Sequence, residues 1–303
     1  MTVREIASGL RFPEGPIAMA DGSVILVEIA RQSLTRVWNG KSEVIATLGG
    51  GPNGAALGPD GAVYVTNNGG FEWHDNGGLL FPGDRPHDYT TGRIERVDLK
   101  TGKFERVYDN CNGLRLNGPN DLVFDGKGGF YFTDLGKQYG RLHDRGAVYY
   151  ATADGKSIKE IVFPIDTPNG CGLSPDGKTL YVAQTMVGRL MKFDIQSPGV
   201  VAPPTGPLQG TLVCGLPGLQ LFDSLAVEAN GRVCVATIAF PTGGISSIAP
   251  DGSYEQTMFA DPLVTNICFG GADHKTAYVT LSATGKLVAT EWARPGLKLH
   301  HGA

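Results

Sequence analysis

Basic residues are few in this chain. Its 26 Lys and Arg against 30 Asp and Glu leave a formal charge of −4 and no basic stripe of the kind a nucleic acid needs. Long apolar runs are also missing. None approaches the roughly 18 residues that cross a bilayer, and the start, MTVREIASGLRFPEG, has no signal-peptide core. The expectation is therefore a cytoplasmic protein with neither nucleic acid nor membrane as partner. Cysteines number five, at 111, 171, 214, 234 and 268, without CxxC or zinc-type spacing. Cys171, Cys234 and Cys268 sit in apolar runs and read as reduced core residues, while Cys111 lies in a more polar loop. Helical periodicity is hard to find anywhere, which leaves an all-β chain.

Turn formers are abundant instead. The 303 residues include 44 Gly and 19 Pro, and a short segment recurs six times. The copies begin at Pro13-Glu14-Gly15, Pro52-Asn53-Gly54, Pro119-Asn120-Asp121, Pro168-Asn169-Gly170, Phe222-Asp223-Ser224 and Thr265-Asn266-Ile267. Each continues through an apolar stretch, a Gly-rich or Asp-Gly turn and a strand-like run such as SVILVE, AVYVTN, GFYFTD or TLYVAQ, the pattern of a β-hairpin. The six positions are 39, 67, 49, 54 and 43 residues apart. That spacing suits four-stranded propeller blades. The expected fold is a six-bladed β-propeller with a central channel, one domain spanning 1–303, closed by REIASGL at the start pairing with KLVATEW near the end. Removing residues 1–10 should then destabilise the ring.

The repeated position reads Glu14, Asn53, Asn120, Asn169, Asp223, Asn266. These are hard oxygen donors, suited to calcium, magnesium or manganese more than to metals that prefer thiolate or imidazole. A turn-forming Asn-Gly could recur for backbone reasons alone. Two of the six copies carry a carboxylate, turn preference alone gives no reason for Glu14, and the metal reading is the better one. An ion so held would either tie the blades together or polarise a carbonyl and position water for attack. The ends of the strand-like runs add Glu28, Asn67, Asp134 and Gln184 as candidates for the channel wall.

One stretch breaks the rhythm. Residues 69–93, GGFEWHDNGGLLFPGDRPHDYTTGR, form an insertion after AVYVTNN, which reads as the inner strand of its blade, and carry Phe71, Trp73, His74, Leu79, Leu80, Phe81, His87 and Tyr89. Loops of this length with apolar residues of their own serve as lids or pack on neighbours, here including a second subunit. Monomer and homodimer both remain open.

FPEGP around Glu14, RLNGPNDLVFDGKGGFYFTD around Asn120, TPNGCGLSPDGKTLYVAQ around Asn169 and FDSLAVEANGRVCVAT around Asp223 resemble the motifs of the senescence marker protein (regucalcin), gluconolactonase and luciferin-regenerating enzyme family. The resemblance covers nearly the whole chain. It implies a six-bladed propeller with one divalent ion in the channel and a lactonase activity. Carried over by position, it makes Glu14, Asn169 and Asp223 the protein ligands of the ion, which could be calcium, magnesium, manganese, zinc or iron. It makes Asp223 the candidate general base and places Asn120 beside the ion, in contact with substrate or its water. Asn53, Arg115, Ser224, Trp73 and His74 are the further substrate-binding candidates. The implied partner is a small lactone: a sugar lactone, or a less polar one if the insertion's aromatics line the site. A metal-free propeller enzyme using a glutamate base, and a non-catalytic metal-binding propeller, are the readings from other classes.

Overall fold

A computed structural model describes residues 2–207 and 209–302. Its regular structure is all strand, with no helix among the described residues. Six antiparallel sheets form the blades, five of four strands and the fourth blade of five. Their first strands are Pro13–Ala18, Pro52–Leu57, Pro119–Phe124, Pro168–Leu173, Leu221–Val227 and Val264–Gly270. These lie side by side in that order, and the last closes on the first. They wall the channel, so the six repeated positions meet near one end of one axis.

The second strand of each blade explains the apolar runs in the sequence. Val24–Glu28, Val63–Asn67 and Gly129–Asp134 are buried along their whole length, because each is covered on both faces by neighbouring blades. Outer strands such as Lys41–Thr47 and Phe104–Tyr108 are largely exposed. Each junction between blades has its own apolar cluster. Ile17, Ile25, Val27 and Leu34 meet Val63, Val65 and Val97 between blades one and two, and Tyr64, Phe124, Phe130 and Phe132 fill the next junction.

Closure follows the expectation from the termini. Val3–Ala7 is the outermost strand of blade six and pairs antiparallel with Lys286–Glu291. Ala7, Leu10 and Leu287 pack there against Val24, Leu26 and Val37 of blade one. Cys111, Cys171, Cys214 and Cys234 are buried and all five thiols are free, which places Cys111 in the core as well.

Two expectations need correction. The run AVYVTNN is not the innermost strand of blade two; that strand is Pro52–Leu57, and Val63–Asn67 is the second. The insertion still leaves at the end of the channel where Asn53 stands, since Asn67 pairs with Pro52. Likewise Glu28, Asn67, Asp134 and Gln184 do not line the channel, being the last residues of second strands. Each holds the backbone that enters its own blade. Glu28 Oε2 accepts from Arg11 N at 2.7 Å, Asn67 Oδ1 from Gly51 N at 2.8 Å, and Asp134 from Asn117 N and Gly118 N at 2.7 Å each. Gln184 Nε2 donates to Asp166 O at 3.0 Å. These four residues fix the approach to Glu14, Asn53, Asn120 and Asn169.

Within the insertion, Trp73–Asn76 and Leu79–Pro82 form a hairpin. It packs on Phe12 and Ile29 of blade one and on Leu263 and Ala283 of blade six, and Leu80 N donates to Ala283 O at 3.0 Å. A segment rooted in blade two thus reaches across to blade six.

Candidate active site and metal centre

Every inner strand is irregular at the repeated position. The ladder to the second strand slips between Glu14 and Ile17, Pro52 and Gly54, Pro119 and Leu122, Pro168 and Cys171, Phe222 and Leu225, and Val264 and Asn266. Such bulges break the alternation of a strand and re-aim a side chain. The Pro-Asn-Gly pattern therefore marks a bulge at the channel entrance. Glycine recurs after it because the inner strands crowd together there: a Cβ on Gly54 would lie 2.5 Å from Asn120 O, and one on Gly170 would lie 2.6 Å from Leu225 N. Threonines of the second strands stitch one blade to the next at the same level. Thr66 Oγ1 donates to Asn120 O and Thr133 Oγ1 to Asn169 O, both at 2.5 Å.

The six side chains differ in what their polar atoms do. Asn266 donates its Nδ2 to Glu14 Oε2 at 2.7 Å and accepts from Ile267 N at 2.8 Å. Asn53 donates to Asn120 O at 3.1 Å, and its Oδ1 accepts from Asn68 Nδ2 at 3.1 Å. Both amides are committed to neighbours, and Asn53 supports Asn120. Asn169 Nδ2 donates to Thr185 Oγ1 at 3.1 Å, its Oδ1 accepts from the Ser224 hydroxyl at 3.4 Å, and its amide also donates towards Asp223, which favours the ionised carboxyl. Among the described residues, Glu14 Oε1 and Asn120 Oδ1 are the two buried side-chain polar atoms without a hydrogen-bond partner. A buried oxygen left unpaired costs about 1–3 kcal/mol, so two at one site need an occupant.

The electrostatics point the same way. Burial lifts the Glu14 carboxyl to about 7, and the amide of Asn266 pulls it only partly back. Burial raises the Asp223 carboxyl well above its ordinary value, and the Glu14 carboxylate pushes it further. A third carboxyl belongs to this group: Asp121, 7% exposed, is raised to about 7 by burial and then by Glu14. No cationic side chain offsets these three among the described residues. Three buried acids without a counter-charge repel one another and favour a bound cation. The described residues contain no cluster of three His, Cys, Asp or Glu side chains that could by itself hold a metal. A cage here has to include the asparagine oxygens, and the donor set fits a hard divalent cation on that basis.

Asp121 went unrecognised in the sequence because the repeat was read only at its first polar position. The next position reads Gly15, Gly54, Asp121, Gly170, Ser224, Ile267, and a lone carboxylate among glycines was the available signal. Ser224 is buried; its hydroxyl lies 3.4 Å from Asn169 Oδ1 and hydrogen-bonds Asp121. Trp73 is half-buried, its ring 5.0 Å from that of Phe12 and 5.9 Å from that of Phe71. His74, next along the hairpin, is exposed. Arg115 is exposed as well and its guanidinium donates to Thr90 O at 3.4 Å. No hydrogen bond, ion pair or cavity wall among the described residues joins His74 or Arg115 to the buried group.

Below the buried group the channel opens into a cavity of about 180 Å³ lined by Ile17, Leu57, Phe124, Leu173, Val227 and Phe269. The C-terminal segment crosses its far end. Leu297 N donates to Val227 O at 2.8 Å and the His301 ring lies edge-on to Phe124 at 5.4 Å.

A closed ring of six blades with oxygen donors converging at one mouth defines a six-bladed β-propeller with a candidate cation site in its channel. Residues 12–283 match the SMP-30/Gluconolactonase/LRE-like region, and the chain belongs to that family. It is 27% identical over 305 residues to the gluconolactonase of Zymomonas mobilis, covering 88% of this chain and 76% of that one. It is 44% identical over 185 residues to the lactonase drp35 of Staphylococcus saprophyticus, covering 61% of this chain and half of that one. Both relatives carry names of carboxylic ester hydrolases. The fold is shared with a calcium-binding regucalcin from Agrobacterium tumefaciens at a TM-score of 0.73 and 18% identity, covering 98% of each chain.

Proposed function

We propose that this protein is a metal-dependent lactonase of the gluconolactonase kind, opening the cyclic ester of a sugar lactone to its hydroxy acid. The observation that carries the reading is the pair of unpartnered buried oxygens, Glu14 Oε1 and Asn120 Oδ1, in a group of carboxyls with no counter-charge. Glu14, Asn169 and Asp223 would hold the ion, calcium being the first choice and magnesium, manganese, zinc or iron the others. Such an ion, when bound, polarises an ester carbonyl and offsets the negative charge that develops on its oxygen.

The chain's own residues supply position and proton transfer. Ser224 N donates to Asp223 Oδ1 at 3.1 Å and fixes the carboxylate that takes the proton from the attacking water. Asn120, held through its carbonyl by Thr66 and Asn53, presents its amide to the lactone. The hairpin that reaches from blade two to blade six acts as a lid that limits bulk water at the mouth. Its aromatics favoured a less polar lactone when read from the sequence. In the fold they pack on Phe12, Leu263 and Phe240, which accounts for their apolar character without a substrate.

The test is ring-opening rates for gluconolactone, xylonolactone and a simple aliphatic lactone, after chelation and then with each ion restored. Metal-restored hydrolysis with the sugar lactones ahead is the expected result. Tight metal binding without turnover on any lactone would leave a metal-binding scaffold; turnover that survives chelation would favour the metal-free enzyme class.

A further inference from the structure

Among the described residues, the most enclosed cationic side chain lies outside the group just described. Lys137 is 2% exposed, with its ammonium inside the root of the insertion. It donates to Gly70 O at 2.5 Å and to Asn68 Oδ1 at 3.1 Å, and sits 3.8 Å from the centre of the Phe71 ring. Both chains of contact that leave this ammonium reach the mouth of the channel. Along one, Asn68 Nδ2 donates to Asn53 Oδ1 and Asn53 Nδ2 donates to Asn120 O, each at 3.1 Å. Along the other, Phe71 packs edge-on to Trp73, and Trp73 packs on Phe12, two residues before Glu14.

The direction of the amide chain is set at its start. An ammonium only donates, so the atom of Asn68 that faces it has to be the oxygen, which also accepts from Gly70 N at 2.8 Å. The Asn68 amide nitrogen is then turned to Asn53, whose oxygen must face it, and the Asn53 nitrogen is left to grip the Asn120 carbonyl. An apolar side chain in place of the ammonium would leave Asn68 Oδ1 held by Gly70 N alone and Gly70 O unpaired.

We propose that Lys137 is a positioning residue for the lactone site, clipping the insertion to the propeller and fixing the amide chain that holds Asn120. The catalytic half rests on the lactonase reading; the clip does not. The enclosure costs something, since burial pushes the ammonium down to about 7 while Asp134 and Asp144 pull it up and Arg85 opposes them. A charge kept where burial disfavours it is consistent with a task that a hydrophobic side chain would not perform.

Two variants separate positioning from a merely structural role. Lys137→Met removes both the clip and the start of the amide chain, whereas Asn68→Leu breaks the chain and leaves Lys137 its bond to Gly70 O. Hydrogen exchange of the metal-free protein reads the clip. Lys137→Met should speed exchange in residues 68–84 by about tenfold or more while strands Val24–Glu28 and Gly129–Asp134 keep their protection. Steady-state rates read the positioning. Both variants should lose kcat by about tenfold or more with KM within about threefold, Asn68→Leu doing so with the insertion still protected. Unchanged exchange at 68–84, or an equal loss in every blade, overturns the clip; unchanged kcat in Asn68→Leu overturns the positioning. Should the wild type open no lactone with any ion, the lactonase reading fails, the positioning half falls with it, and the exchange result alone decides the clip.

Discussion

The two ends of the channel are built on opposite principles. At the insertion end, Glu14, Asp121 and Asp223 bring their carboxyls together in a buried space, and two oxygens there have no partner. At the far end, one buried carboxylate is fully engaged. Glu228, 0% exposed, accepts from Arg294 Nε at 2.5 Å and Trp292 Nε1 at 2.9 Å, and takes further contacts from Ser247 and Cys234. Burial works against its charge, yet the bonds from Arg294 and Trp292 hold it below its ordinary value. Carboxylates are left unsatisfied at the proposed cation site and saturated where the chain has only to be fastened.

That contrast predicts opposite trades between activity and stability. Asp223→Asn and Glu14→Gln should each lower kcat/KM by about 10³-fold, the range lost when a group that stabilises the transition state is removed. Calcium binding read by calorimetry should weaken in parallel. Without metal, both variants should melt higher than the wild type, because each removes a buried charge that repels its neighbours. A wild-type rate in Asp223→Asn with metal bound would break the assignment.

At the fastened end the signs reverse. Glu228→Ala leaves Arg294 and Trp292 without their buried acceptor, a loss of about 3 kcal/mol or more. Melting should fall in both the metal-free and the metal-bound protein, with kcat of the folded enzyme close to wild type. An equal loss of kcat at 20 °C would mean that the two ends are coupled.

Lys137 sharpens the comparison from the insertion side. Its folded value of about 7 lies below the 10.5 of a free lysine, so between those limits the unfolded chain binds the extra proton. Stability from this group therefore rises with pH through that window, by at most about 1.4 kcal/mol per pH unit. Subtracting the pH dependence of Lys137→Met from that of the wild type, measured by urea unfolding at pH 7 to 9.5, isolates it. A difference of zero slope would place the ammonium in a far better solvated setting than its contacts describe.

Much of the architecture was legible because the propeller writes one instruction six times. Second-strand runs such as GFYFTD are apolar throughout since neighbouring blades cover both faces. Proline and glycine flank the repeated position because a bulge and a crowded neighbour need them. What escaped was set by directions that a linear pattern does not carry. Nothing in PNG distinguishes Asn53, whose oxygen is spent on Asn68, from Asn169, whose oxygen is met by Ser224 and whose amide bonds to Asp223. Trp73 and His74 are neighbours in sequence, yet the hairpin packs the first on Phe12 and leaves the second exposed. The tail was uninformative as GLKLHHGA because its role lies in where it crosses the ring.

The smallest effect belongs to that tail. Leu297 is half-buried against the cluster that includes Leu225 and Val227, and its amide donates to Val227 O. Beyond it Lys298, Leu299 and His300 are exposed, and His301 touches Phe124 through a ring edge. Ending the chain after Gly296 removes one partly buried leucine, one backbone hydrogen bond and one aromatic contact, together about 2 kcal/mol at most. The fastening through Glu228, Trp292 and Arg294 stays in place. Melting should drop by only a few degrees, with kcat and KM unchanged, while the apolar cavity gains an open end to solvent. A fluorescent apolar dye titrated against both forms checks the opening: stronger binding to the shortened chain is the expected result, and equal binding would mean that the tail does not close the channel. Should truncation instead change KM for a lactone, the far end would also be a route to the site, and the division between a recruiting end and a fastening end would have to be withdrawn.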